Sequence, residues 1–292
     1  MTVQPVHVVT DSTASLPPDL VARWGLTVVP LTVRFGETHG REGVDVSSSV
    51  LLERLRSGED VTTSQPAPEA FARAFASAAG AGARAIVSVH LSGELSGTVR
   101  SARLGAEGCA VPVHVVDSRS VAMGLGLAAL AAAEAVAGGA GAETAAGIAR
   151  RVGAGCSARF LVDSLDHLRR GGRLGAGAAA LGTLLGMRPL VTLRDGRLEV
   201  AEKVRTRAGA RARLEALTVD DVARRGRARV AVHHLGGLAE AHELADRLTR
   251  TLGGRLAPWP GESGSRVLVS EASAVIGAHV GPGLVAVIVG AG

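Results

Sequence analysis

Residues 6–20 read VHVVTDSTASLPPDL. The β-branched run Val6 to Thr10 predicts a strand; Asp11, Ser12 and Thr13 predict a polar loop; Pro17 and Pro18 stand where a helix starts. The same unit recurs downstream. Ala85 to His90 predicts a buried strand, Leu91 to Gly97 a loop and Thr98 to Gly108 a helix, and Val113 to Val116, Asp117 to Ser120 and the long apolar segment after Val121 repeat the order. Between these units, Thr27 to Phe35 predicts one more strand. Val46 to Arg56 reads as a helix capped by Asp45, and the polar loop Thr62 to Pro68 leads into an amphipathic segment from Glu69 to Ala79. Alternating strands and helices imply a mainly parallel sheet with helices on both faces, and they put ligand-binding groups in the loops at the carboxyl ends of the strands.

After Gly141 a helix extends to about Val152, and Gly153 and Gly155 suggest a boundary. Beyond it the pattern changes. Arg188 to Leu193 and Arg197 to Ala201 flank Arg194, Asp195 and Gly196, which is a hairpin signal that an all-parallel domain does not need. Strands at Val230 to His233 and Gly283 to Val289, with helices near Arg207 to Ala223 and Leu238 to Leu252, complete an α+β unit. The expected architecture is therefore α/β with two domains, residues 1–153 and 154–292.

Composition narrows the chemistry. The 292 residues are 47% hydrophobic and 20% charged, the balance of a folded globular chain. Thr2 to Pro5 show no basic segment leading into an apolar one, and the longest apolar stretch, Val121 to Ala137, contains Glu134 and is rich in Ala and Gly, so a cytoplasmic location is expected. Two cysteines, Cys109 and Cys156, make no disulfide framework, and no His or Cys near them falls at zinc spacing, so no metal is expected.

The net charge of +5 is unevenly spread. Residues 150–230 hold 18 Lys and Arg against 8 Asp and Glu, while the remainder holds 14 against 19. A basic segment attracts nucleic acid, an acidic partner, or a phosphorylated or carboxylate ligand. With no Tyr, four Phe and two Trp, stacking platforms for single strands are lacking, and no nucleic-acid partner is expected. The only lysine, Lys203, follows Glu202 and not Gly, which excludes a phosphate-binding P-loop. Neither Ser92 nor Ser96 has Gly two residues on either side, so the nucleophile elbow of serine hydrolases is missing.

What remains is a set of hydroxyl-rich loops: Asp11-Ser12-Thr13, Thr62-Thr63-Ser64-Gln65-Pro66, Ser92 with Ser96-Gly97-Thr98, and Asp117-Ser118. Any one of them is explained as a helix cap. Several at one end of a parallel sheet surround a crevice with hydroxyls and helix N-termini, which suits a carboxylate.

These residues resemble the DegV family of bacterial lipid-binding proteins, which includes the fatty-acid-binding subunit of bacterial fatty acid kinase. The resemblance rests on VVTDSTASLP at 8–17, TSQP at 63–66, LSGTVRSA at 95–102, VVDSRSVAMGLG at 115–126, LRRGGRL at 168–174, GMRPLVTLRDG at 186–196, KVRTRAGA at 203–210 and GAHVGPG at 277–283. It implies a ligand tunnel between the two domains, holding one long-chain fatty acid whose carboxylate is presented to a partner kinase. By resemblance, Thr63, Ser64 and Ser96, with Gly97 and Thr98 beside them, bind the carboxylate, and Arg173 and His279 orient and neutralise it. From their place in the basic segment, Arg205 and Arg207 are expected to meet the kinase's acidic surface or the transferred phosphate, and from their residue types Asp11, Ser12, Asp117 and Ser118 are expected to form secondary loops.

Elementary energetics agree. A chain of ~15 methylenes supplies up to ~12 kcal/mol on burial before costs, and aliphatic walls suffice for it. The carboxylate must still be hydrogen-bonded, because burying it unpaired costs several kcal/mol. The expected role is delivery without catalytic residues of its own: a separate ATP-dependent kinase transfers a phosphoryl group to form an acyl-phosphate, and peripheral membrane contact serves lipid exchange. No cofactor is expected besides the bound fatty acid. Two rival classes are an autonomous hydrolase or acyl-transfer enzyme using Ser96 with His279, marked by turnover without a partner, and a nucleic-acid-binding regulator, marked by salt-dependent duplex binding.

Overall fold

The computed structural model describes residues 5–174 and 186–292. Residues 1–4, read above for a leader, lie outside them. Strands β1 (Val6–Asp11), β2 (Thr27–Val29), β6 (Ala85–His90) and β7 (Val113–Asp117) form a parallel sheet in the order β2-β1-β6-β7. Its near-continuous apolar strands are buried on both faces, as parallel strands require. Neighbouring residues on a strand show this: Val9 and Ile86 pack with Phe71, Phe75 and Ala102 of helices α3 (Pro68–Gly80) and α4 (Thr98–Ala106), whereas Val8 and Val87 face the other core. That second face is covered by α5 (Met123–Ala137) and α6 (Ala142–Gly155).

A second, mixed sheet contains β8 (Ser157–Leu161), β9 (Arg188–Arg194), β10 (Arg197–Val204), β11 (Ala228–His234), β12 (Leu268–Glu271) and β13 (Val285–Ala291), in the order β10-β9-β8-β13-β11-β12. Only β11 and β12 run parallel. Alternation along β13 again separates two cores. Val285, Val287 and Val289 meet Leu214 of α8 (Arg207–Arg225) and Leu244 and Leu248 of α9 (Leu238–Leu252), while Ala286 and Ile288 join the core around α5 and α6. The molecule is thus layered helices, sheet, helices, sheet, helices, with α5 and α6 shared by both sheets. Helix α5 is apolar all round, the pattern of a helix enclosed on every side, and Met123 to Leu130 are all buried.

Three local expectations are corrected. Thr27 to Phe35 is not one strand. Pro30, with no N–H to donate, breaks it: β2 pairs with β1, and β3 (Thr32–Phe35) turns into a separate antiparallel sheet with β4 (Thr38–Arg41) and β5 (Val61–Ser64). Thr62 to Ser64 therefore belong to a strand rather than a loop. Asp45 does not cap the following helix; its carboxylate binds the Arg41 backbone N–H and guanidinium at 2.9 and 2.8 Å, and Ser47 caps α2 (Ser48–Arg56) by accepting from Val50 N–H at 3.2 Å. The Asp195-Gly196 turn matches expectation, with both residues at positive φ (49° and 80°), as a two-residue hairpin turn of this hand demands. Gly153 lies within α6, where a Cβ would overlap Ser118, so it serves close helix-to-loop packing. We propose the division into two domains at 153/154, inside the last turn of α6.

Candidate functional site

A cavity of about 60 Å³ opens between the two sheets. Its polar end is built by Thr63, Ser64, Gln65, Ser96, Arg173 and His279, and its walls include Leu31, Leu91, Val121, Phe160, Val275 and Ile276. The elements that deliver these groups are far apart in sequence. Thr63 and Ser64 come from β5, Ser96 from the β6–α4 loop, Arg173 from just beyond α7 (Asp166–Arg170), and His279 from α10 (Ala274–Val280).

His279 Nε2 is 2.8 Å from Thr63 Oγ1. Burial, followed by the charges of Arg173 and His167, pushes the imidazole down to about 4. At neutral pH it is uncharged and acts through hydrogen bonds, so the positive charge at this end of the cavity comes from Arg173. Gly171 matters for the same contact, since a Cβ there would overlap the His279 ring. The Arg173 guanidinium is itself held in place, donating through Nε to Leu95 O at 3.1 Å and through a terminal nitrogen to Gly171 O. Ser96 Oγ lies 2.8 Å from Thr98 Oγ1 at the start of α4. Gly97 lies against the end of the Gln65 side chain, which a Cβ there would displace and whose amide donates to Ser101 Oγ at 3.0 Å.

The structure brings together Thr63, Ser64, Ser96, Arg173 and His279 on the cavity, with Gly97 and the buried Thr98 directly behind. It does not pair Ser96 with His279: the former bonds Thr98 and the latter Thr63. The secondary loops hold backbone. Asp11 accepts from Leu91 N–H and His90 Nδ1, both at 3.0 Å, and from the backbone and hydroxyl of Thr13; Ser12 Oγ accepts from Leu31 N–H at 3.0 Å. With its ring proton on Nδ1, His90 also accepts the Ser88 hydroxyl at Nε2, 2.6 Å away. Asp117 accepts from Gly93 and Arg119 N–H, and Ser118 Oγ from Ser120 N–H. Thr13 and Gln65 belong to the candidate loops without having been singled out as site residues, and the wall residues escaped sequence reasoning. Thr13 and Gln65 sit inside the quoted motifs, but nothing in residue type separates them from their neighbours.

Arg207, partly exposed, is bound to Asp163 at 2.6 Å, to Glu240 at 3.0 Å and to Gly283 O at 3.0 Å. Arg205 is exposed and makes no ion pair among the described residues. Much of the basic segment is consumed in the same way. Arg197 pairs with Glu94, Arg211 with Glu240 and Glu243, and Arg229 with Glu134, so acidic side chains of the rest of the chain offset part of the excess. Among the described residues no cluster of three potential metal ligands occurs, and no helix is long and apolar enough to cross a membrane.

Comparison with known proteins gives a consistent answer. A DegV domain-containing protein of Streptomyces coelicolor is 47% identical over 286 residues, covering 97% of this chain and 98% of the relative. A DegV domain-containing protein of Deinococcus radiodurans is 38% identical over 288 residues, 97% of each chain. Among solved structures, one described as fatty acid binding of a DegV family protein from Thermus thermophilus superposes with a TM-score of 0.85 at 34% identity, over 99% of this chain and 100% of that one. DegV from Bacillus subtilis, described as a fatty acid binding protein, gives 0.88 at 29% identity with the same coverage. The family described as "Uncharacterised protein, DegV family" matches residues 5–291, and with the sheet order, the cavity and its polar end already in place, the chain belongs to the DegV family.

Proposed function

We propose that this protein binds one long-chain fatty acid, with the carboxylate at the Thr63–Ser96–Arg173–His279 end of the cavity and the acyl chain along its aliphatic walls. The observation that carries the reading is one cavity whose lining joins Arg173, His279 and the hydroxyls of Thr63, Ser64 and Ser96 to walls that are mostly apolar. The two solved DegV structures described as fatty-acid-binding support it. Arg173 neutralises the carboxylate, while hydroxyls of Thr63, Ser64 and Ser96 donate hydrogen bonds to it and the neutral His279 orients Thr63 by donating Nε2–H to its oxygen, which offsets the several kcal/mol that an unpaired buried carboxylate costs. The cavity is narrow, and a sixteen-carbon chain fits only if wall side chains such as Phe160 and Ile276 move aside.

The protein then acts as a carrier that catalyses nothing alone. A separate ATP-dependent kinase phosphorylates the bound carboxylate to an acyl-phosphate, and Arg205 contributes to the surface this kinase meets. The protein works in the cytoplasm and touches the membrane only to exchange lipid. Mass spectrometry of an organic extract of the purified protein tests the binding reading: a stoichiometric fatty acid is expected, and the reading fails if none is present and delipidated protein gains no thermal stability from added palmitate.

A further inference from the structure

The tip of the β9–β10 hairpin reaches across from the mixed sheet to the loops that end the parallel sheet. Ser92 Oγ donates to Gly196 O at 2.8 Å, and this hydroxyl is fully buried. Arg119 donates to Asp195 O at 2.7 Å, and the Arg197 guanidinium meets the Glu94 carboxylate at 2.7 Å. On the receiving side the two loops are tied to each other. Asp117 accepts from both Gly93 N–H at 3.2 Å and Arg119 N–H at 2.8 Å, and Ser92 N–H donates to Ser120 O at 2.8 Å. The turn backbone is set for this reach, with Asp195 and Gly196 both at positive φ and Arg119 opposite at φ 51°.

The loop so gripped, residues 92–97, carries two parts of the carboxylate end. Leu95 presents the carbonyl that aims Arg173, and Ser96 presents a hydroxyl to the cavity. None of the gripping residues, Ser92, Glu94, Arg119, Asp195, Gly196 or Arg197, lines the cavity. We propose that the Asp195-Gly196 turn, with Arg197, Ser92 and Glu94, is a positioning element for the carboxylate site, setting the 92–97 loop and through it Arg173 and Ser96. The inference rests on the fatty-acid reading above and adds specificity-determining residues outside the pocket.

The sharpest variant is Gly196→Ala, because a Cβ at this positive-φ residue would overlap the Ser92 hydroxyl. Delipidated full-length protein is titrated with palmitate and with methyl palmitate. The dissociation constant for palmitate should rise about tenfold and that for the ester less than twofold, since the ester lacks the charge that Arg173 serves. Should Gly196→Ala fail to fold, the charge pair gives a second route. Arg197→Glu should weaken palmitate about threefold, and Glu94→Arg combined with Arg197→Glu should return it to within twofold of the parent. A general loss of packing would lower acid and ester binding alike and would not be repaired by the swap; either result overturns the proposal. A parent protein that binds neither compound brings down the fatty-acid reading itself, a result distinct from an unchanged acid-to-ester ratio in the variants.

Discussion

His279 and Thr63 are 216 residues apart in sequence and 2.8 Å apart in space, joining α10 to β5 at the polar end of the cavity. With its ring held neutral by burial, His279 lets Thr63 and Arg173 divide the work: hydroxyl and imidazole offer direction, and the guanidinium offers charge. A carboxylate placed there needs both, because a point charge alone leaves its orientation loose.

Removing the hydroxyls tests this division. Thr63→Ala together with Ser96→Ala should reduce fatty acid affinity by about 1–3 kcal/mol per lost hydrogen bond, about thirtyfold or more in total. Methyl ester binding should change much less, since the acyl chain keeps its walls. Calorimetric titration of both compounds decides; equal losses would place the carboxylate elsewhere.

The lowered pKa of His279 fixes a sign for pH dependence. The unfolded chain titrates near 6.5 and the folded one at about 4, so between these values the unfolded state binds more protons. The contribution to stability is fully present above pH 6.5 and is lost as pH falls toward 4, on the order of 3 kcal/mol at the acid end. His233, pushed down to about 4 by burial, adds in the same direction. Thermal melts of the parent and of His279→Gln across this window should show a shallower pH slope in the variant, and parallel slopes would mean that His279 stays solvated.

Asp11 supports the cavity from behind. It is fully buried and accepts from four groups, so Asp11→Asn turns an amide NH₂ toward donors. Roughly 2–4 kcal/mol of stability should be lost. Denaturant unfolding measures it, and a loss under 1 kcal/mol would show that water replaces the missing acceptor.

Arg205, exposed and unpaired among the described residues, is the residue chosen to test the kinase encounter. Arg205→Glu should slow association with a cognate kinase several-fold at low salt, with the deficit shrinking as salt screens the encounter, while palmitate affinity stays unchanged. Stopped-flow association at two ionic strengths provides the comparison. Loss of lipid binding with intact kinase association would put Arg205 on the wrong side of the site.

The parallel sheet, the hairpin and α5 are legible in the sequence because their signals are local: β-branched runs, an Asp-Gly turn, and a segment apolar all round. The small sheet of β3, β4 and β5 is not, since Thr62 to Ser64 is short and polar and its strand character comes only from pairing with Thr32 to Arg34. Pro30 does carry the signal that splits Thr27 to Phe35. Asp45 reads as a cap because nothing local reveals that Arg41 occupies it. In the site, residue types alone support a carboxylate crevice; the particular choice of Thr63, Arg173 and His279 comes from family resemblance, because contacts over such separations leave no periodic trace.

Helices α5 and α6 serve as inner wall to both sheets, and this has a consequence for dissection of the gene. A fragment ending near residue 155 would keep its own strand order, yet it would present to water the flank of α5 that Ala286 and Ile288 cover in the whole chain. Such a piece should be sticky and expand easily, and the complementary piece should lack a floor for β13. The halves are distinguishable by topology, yet they should melt as one cooperative unit, with a single calorimetric transition rather than two.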